Sequence, residues 1–153
     1  MAKKKAHQAK VISNRRARFD YELGDSLVAG LELSGTEVKN LRMGHGQLRG
    51  AYVTVKGDEL WLINATINGT NGTPIAEPDQ TRARRLLAKR REINALIEAK
   101  QQGQTIVPLE LLTGGRFIKL RIAIGRGKKK YDKRQTLKAR DESRRIRNAL
   151  RPQ

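Results

Sequence analysis

The sequence predicts a mainly β protein with some α structure: a closed antiparallel barrel of about six strands, two or three helices and a basic C-terminal tail. Three observations predict this class. Apolar residues alternate with polar ones in runs that pair off across Gly- and Asp-containing turns, as in half-buried antiparallel strands. Between these runs lie two stretches with helical spacing. The charge is uneven: of a formal +18 over 153 residues, the last twenty-nine carry +9, from 12 Lys and Arg against 3 Asp and Glu, and the first thirteen carry +4. The +5 that remains belongs to residues 14–124, so the middle of the chain is the part suited to burying a core.

The elements follow in order after a basic, flexible N-terminal segment, residues 1–13. Phe19, Tyr21 and Leu23 alternate with polar neighbours, Gly24 and Asp25 mark a turn, and Leu27, Ala29, Leu31 and Leu33 alternate again, which predicts a β-hairpin. Ser34-Gly35-Thr36-Glu37 has capping-box spacing and precedes Val38 and Leu41 on one face, so a short helix follows and stops at Gly44 and Gly46. Ala51, Val53 and Val55 lead into a Gly57-Asp58 turn, and Trp61, Ile63, Ala65 and Ile67 lead out of it as a second hairpin. Residues 68–79, rich in Gly, Asn and Pro, read as a loop. From about residue 80 to 101, Ala83, Leu86, Leu87, Ile93, Leu96 and Ile97 keep helical spacing and predict the longest helix, with Arg82, Arg85 and Lys89 as a basic stripe. Ile106, Val107, Leu109 and Leu111 reach Gly114-Gly115, and Ile118, Leu120, Ile122 and Ile124 return, alternating with Lys119 and Arg121, as a third hairpin. Six antiparallel strands in one small domain lose their exposed edges by closing, and the oligonucleotide-binding type of barrel is a natural member of that set. Residues 14–124 are therefore the barrel domain and residues 125–153 the tail.

The tail holds too few apolar groups, Tyr131, Leu137, Ile146 and Leu150, to build a core that offsets ordering entropy, and it is expected to be disordered when free. Asp141 and Glu142 lie three or four residues before Arg144 and Arg145, spacing that favours a helix once a partner supplies stabilisation. With a pI near 11.0 and cations clustered at both ends, the expected partner is a nucleic-acid backbone. A membrane is disfavoured, because neither basic end carries the broad Leu, Phe and Trp face of an interfacial helix. No cysteine, secretory signal or bilayer-length apolar segment occurs, which predicts a soluble, cytoplasmic protein without disulfide or thiol chemistry.

Catalytic constellations are missing from the pattern. His7 lies in the basic N-terminal segment and His45 between glycines, neither beside a nucleophile or an orienting acid. Asp20, Glu22, Asp25, Glu32 and Glu37 match no metal-ligand spacing, and the glycines at 44, 46 and 50 miss the dinucleotide fingerprint, so neither a metal nor a cofactor is expected. Binding signals are stronger. Asn14-Arg15-Arg16-Ala17-Arg18-Phe19-Asp20-Tyr21 interleaves guanidinium groups with aromatics; the arginines suit phosphate, while Phe19 and Tyr21 suit the core. On residues alone, a ribosomal or assembly protein with basic tails remains open beside a more specialised RNA-binding adaptor.

Five blocks in order narrow this choice: NRRARFDY at 14–21; Ala29-Gly30 followed by GTEVKNLR at 35–42; TRARRLL at 81–87; KRREI at 89–93; and GKKKYDKR at 127–134. The chain resembles the bacterial tmRNA-binding small protein B family, the SsrA-binding proteins. That resemblance implies an oligonucleotide-binding-type barrel that grips the tRNA-like domain of transfer-messenger RNA (tmRNA). It implies delivery of the alanine-charged RNA, with elongation factor Tu engaged through it, to the empty A site of a stalled ribosome, where the nascent peptide is tagged. The tail would fold as a helix in the vacant mRNA channel beside small-subunit rRNA. The protein would act as a monomer and catalyse nothing.

By position, the resemblance implies a tmRNA-facing set of Asn14, Arg15, Arg18, Glu37, Lys39 and Arg42, with Arg82 and Arg84 beside it. It implies a decoding-centre and mRNA-channel set of Gly127, Lys128, Lys129, Tyr131, Asp132, Lys133 and Arg134. Tyr131 stands where many relatives have histidine, which keeps base stacking and drops imidazole protonation. Val28 stands where some relatives have glutamate and lies outside the tmRNA-facing set.

Overall fold

Leu60, Leu62, Leu120 and Ile122, each at most 1% exposed, mark the axis around which the strands close. The computed structural model describes residues 11–128 and the backbone of 130–149; for residues 130–133, 135, 136, 148 and 149 the side chains lie outside the description. In chain order the elements are β1 (Ile12–Ser13), α1 (Ala17–Asp20), β2 (Tyr21–Leu31), α2 (Gly35–Arg42), β3 (Gly46–Gln47), β4 (Tyr52–Lys56), β5 (Glu59–Ile63), β6 (Thr66–Ile67), α3 (Glu77–Gln80), β7 (Arg84–Leu87), α4 (Arg90–Gln101), β8 (Thr105–Leu112), β9 (Lys119–Gly127) and α5 (Lys130–Ala149). Pairing runs β8-β4-β5-β7-β2-β9 and returns from β9 to β8, a closed ring of six antiparallel strands. β1 joins the free stretch of the β8 edge through Ile12 opposite Leu111, and β3 pairs with β6 separately. Closure leaves little unpaired edge, which meets the demand that predicted a barrel.

Two predicted hairpins form at their predicted turns. β4 and β5 meet across Gly57 and Asp58, with φ of 59° at both, the left-handed pair that matches strand twist in a two-residue turn. β8 and β9 form the hairpin around residues 113–118. The capping box also forms: the Glu37 N–H donates to Ser34 Oγ at 3.2 Å, and the Ser34 N–H donates to Glu37 Oε1 at 3.0 Å.

Three predicted elements differ. Residues 19–33 form no hairpin: Phe19 ends up in α1, and β2 runs through Gly24 and Asp25 as one strand. Its register against β9 moves from Leu23–Gly125 to Ser26–Ala123, so β2 advances three residues while β9 advances two, a one-residue bulge. The predicted long helix over residues 80–101 is instead the last residue of α3, a loop, β7 and α4, and its basic stripe dissolves. Arg82 lies in a loop, Arg85 faces out from β7 and Lys89 caps α4. The physical reason is Arg84: it is fully buried, so β7 alternates with a period of two, Arg84 and Leu86 inward and Arg85 and Leu87 outward. In β5 the buried residues are Leu60 and Leu62 rather than Trp61 and Ile63. Asn64, at φ 62°, then ends that strand, so Ala65 and Ile67 belong to the β6 segment.

The expected boundaries shift slightly: β1 lies within residues 1–13, and β9 continues past 124 to Gly127. Residues 1–10 of the expected flexible segment, including His7, lie outside the described residues. In the tail, expected to be disordered when free, α5 is helical over about 30 Å at ~1.5 Å per residue. Its described side chains are all exposed, Leu137 at 48% and Ile146 at 62%, so no core covers these two apolar groups.

Candidate nucleic-acid interface

The predicted RNA-facing residues gather at the two ends of β2, roughly 30 Å apart at about 3.3 Å per residue. At the Tyr21 end, Asn14 lashes the chain to β8. Its backbone N–H donates to the Leu109 carbonyl at 2.7 Å and its Nδ2 to the Pro108 carbonyl at 2.9 Å. Ala17, the first residue of the short α1, is buried. Arg16 turns onto its own helix, its guanidinium 5.3 Å from the Phe19 ring centroid and its Nε 3.7 Å from Asp20 Oδ2. Arg15 and Arg18 are exposed and, among the described residues, have no hydrogen-bond or ion-pair partner.

At the other end, α2 is anchored by its inward face. Glu37 is 3% exposed; its Oε1 accepts from Arg82 Nη2 and its Oε2 from Arg84 Nε at 2.6 Å. Arg84 then uses every remaining N–H. Nη1 donates to the carbonyls of Ala65 at 2.8 Å and Arg82 at 3.1 Å, and Nη2 to those of Asp79 at 3.2 Å and Gln80 at 3.0 Å. One guanidinium thus ties α2 to the residue before β6, to the end of α3 and to the loop after it. Burial raises the Glu37 carboxyl, but hydrogen bonds from Arg82, the Ser34 N–H and Arg84, with the Arg84 charge, outweigh it and hold the group below its ordinary value. Burial draws the Arg84 guanidinium below its ordinary value, with Glu37 opposing.

Asn40, fully buried one turn on, donates to the carbonyls of Thr36 and Thr73 at 3.0 Å each and accepts from Thr73 Oγ1 at 2.8 Å. Arg42 donates to the carbonyls of Gly115 and Arg116 at 3.2 and 2.9 Å, pinning the β8–β9 turn, while its side chain stays exposed. Lys39 points outward with no partner among the described residues. Of the eight predicted positions, Arg15, Arg18, Lys39, Arg42 and Arg82 therefore present charge to solvent. Asn14 is half-buried and committed to the backbone, and Glu37 and Arg84 are turned inward.

Strand β9 carries the connection between the two ends, which the sequence reading missed. Lys119 lies opposite Gly30 and Arg121 opposite Val28, both outward and exposed. Arg121 pairs with Glu110 at 3.3 Å and shares with Arg18 a groove of about 440 Å³ that also passes Tyr21 and Lys128. The available signal was phase: Lys119 and Arg121 alternate with the buried Ile118, Leu120 and Ile122, so they must share the outer face. Beside them Val28 and Leu87, 41% and 49% exposed, flank Gly30, whose lack of a side chain leaves Leu87 Cβ 3.3 Å from where a Cβ would stand. Exposed cations along an outer sheet face, with apolar surface between them, suit a phosphate backbone whose sugars or bases also make contact.

In the decoding-centre set, Gly127 closes β9 opposite Tyr21, and the Lys128 N–H donates to the Asp20 carbonyl at 2.8 Å. Arg134 is exposed on α5. Lys129 lies outside the described residues, as do the side chains of Tyr131, Asp132 and Lys133. Among the described residues no helix is long and apolar enough to cross a membrane.

Comparison with known proteins gives this surface its context. The family model described as SmpB protein matches residues 11–152. A protein named SsrA-binding protein from Chelativorans sp. (strain BNC1) is 48% identical over 136 residues, 88% of each chain. Another of that name from Oenococcus oeni (strain ATCC BAA-331 / PSU-1) is 44% identical over 147 residues, 95% of each chain. A solved structure described as "tmRNA-SmpB: a journey to the center of the bacterial ribosome" superposes with a TM-score of 0.65 at 35% identity, covering 83% of this chain and 94% of that one.

Proposed function

The chain belongs to the SmpB protein family, and we propose that it is an RNA-binding adaptor of trans-translation, binding tmRNA and acting with the ribosome rather than catalysing a reaction. The observation that carries this reading is the row of outward cations from Arg15 and Arg18 past Arg121 and Lys119 to Lys39 and Arg42, on a chain whose relatives are named for binding SsrA. Backbone phosphates are held by such a row through counterion release, and the barrel fixes its curvature. Within the set, Arg15, Arg18, Lys39, Arg42 and Arg82 make the contacts. Asn14, Glu37 and Arg84 act from beneath, by holding α1 and α2 where those contacts are made.

The finer assignment follows the division of the chain. Residues 14–124 grip the tRNA-like domain, and residues 1–13 add a basic segment. Residues 125–153, disordered when free and helical on the ribosome, enter the vacant mRNA channel after the charged RNA reaches the A site with elongation factor Tu. A helix with every described side chain exposed, such as α5, has its surface available for rRNA, and its length of about 30 Å suits a channel. Gly127, Lys128, Lys129, Tyr131, Asp132, Lys133 and Arg134 then meet the decoding centre, with Tyr131 stacking on a base. Sequencing the RNA that co-purifies with the tagged protein from a bacterial cell tests the reading: tmRNA enriched over tRNA supports it, and tRNA with rRNA fragments alone refutes it.

A further inference from the structure

Where α5 lies against α1, a cavity of about 410 Å³ is lined by Arg15, Arg18, Arg121 and Arg140, with Glu110 as its one carboxylate. Glu110 is engaged with Arg121, and Asn14, also in the wall, is committed to the Pro108 carbonyl. Arg15, Arg18 and Arg140 have no hydrogen-bond or ion-pair partner among the described residues. Four guanidiniums around one cavity repel each other, and a single shared acid leaves most of that repulsion uncompensated. Among the described side chains of α5 none is buried, so none of them holds the helix in place against that repulsion. The arrangement is favourable once an oxyanion stands among the guanidiniums, because each then donates charge-assisted hydrogen bonds to it.

We propose that this cavity is a phosphate-binding latch: a backbone phosphodiester of bound RNA, held between Arg140 of α5 and Arg15, Arg18 and Arg121 of the barrel, docks the tail helix on the barrel. The cavity shares Arg18, Leu109 and Arg121 with the groove that runs along β9, so one nucleic-acid strand can follow the groove and place a phosphate in the latch. Without the phosphate, the tail is released. The natural ligand rests on the RNA-binding reading above; the latch itself is tested on the protein alone, so the two can fail separately.

The chain contains no cysteine, so Gln47→Cys and Ser143→Cys place one spin label on the barrel and one on α5 of the full-length protein. Pulsed dipolar spectroscopy then reads their distance in chloride and in inorganic phosphate at matched ionic strength. A broad distribution in chloride that narrows to one short distance in phosphate supports the latch; identical distributions overturn it. Arg15→Ala or Arg18→Ala should raise the phosphate concentration at half-effect by about tenfold. Arg140→Glu, which puts a carboxylate among the barrel arginines, should dock the tail without phosphate, and a tail still released in chloride would contradict the electrostatic account. A short oligouridylate should act at lower concentration than inorganic phosphate. Response to phosphate but not to oligouridylate, or equal response to hexaglutamate, would overturn the assignment to a nucleic-acid backbone.

Discussion

Replacing Arg84 by methionine separates a residue that binds RNA from one that builds the surface RNA meets. Arg84 is fully buried and donates five hydrogen bonds, one to Glu37 and four to backbone carbonyls of residues 65, 79, 80 and 82. Methionine fills much of the volume but leaves those carbonyls without their donor, and leaves Glu37 with Arg82 and the Ser34 N–H alone. Breaking one side of a buried pair typically costs about 3–5 kcal/mol, and the surviving partners of Glu37 place this case near 3–4 kcal/mol. For a chain of this size that lowers the melting temperature by roughly 10 °C. Urea unfolding followed by circular dichroism measures the loss. RNA affinity, measured well below the melting point across a salt series, measures contact: since every Arg84 N–H is used internally, the slope of log K against log salt should match the unsubstituted protein. A stability loss below about 1 kcal/mol, or a slope smaller by about one phosphate's worth, would refute the clamp.

Three further outcomes follow from the same geometry. Glu37 is held below its ordinary value of 4.5, so its contribution is present at neutral pH and lost as pH falls through the depressed folded value; the unfolded chain binds the proton more readily, and stability rises with pH across that interval. Glu37→Gln should cost about 3 kcal/mol at pH 7 and progressively less below pH ~4, whereas a pH-independent difference in unfolding free energy would show that the carboxylate's charge is not involved. Arg15→Ala and Arg18→Ala should each flatten the salt dependence of tmRNA binding by about one unit with little effect on stability, read by filter binding and thermal melts; an unchanged slope would remove α1 from the interface. Ending the chain after Gly127 removes Arg140 and should weaken tmRNA binding by no more than about one phosphate contact's worth, about one unit of salt slope, while abolishing peptide tagging in a reconstituted translation assay; tagging by the shortened protein would contradict the tail's role.

Local chemistry decided which elements were legible. The Ser34-Glu37 spacing predicts its capping box because both partners lie within one turn, and Gly57-Asp58 predicts its hairpin because that turn accepts the left-handed backbone both residues adopt. What escaped was set by contacts far along the chain. Arg84 reads as surface charge until Glu37, forty-seven residues earlier, is known to meet it, and with Arg84 counted as polar the region looks helical. Gly24 and Asp25 read as a turn because a bulge inside a continuous strand uses the same residues. At the site, the exposed Arg15, Arg18 and Lys39 were legible from type and block, whereas the inward turn of Glu37 was not: the residue that completes a cap is also the counter-ion of a buried guanidinium. Arg121 and Arg140 come together only through the barrel's closure and the path of α5.

The central claim is that this surface recognises tmRNA and does more than attract phosphate. Its most direct test is the affinity of the full-length protein for the isolated tRNA-like domain of tmRNA against an ordinary tRNA of similar size, at physiological salt. A preference of at least about a hundredfold for the tRNA-like domain is the expected result, since shape and base contacts add to the common electrostatic attraction. Equal affinity for the two would contradict the claim, because it is what charge alone delivers.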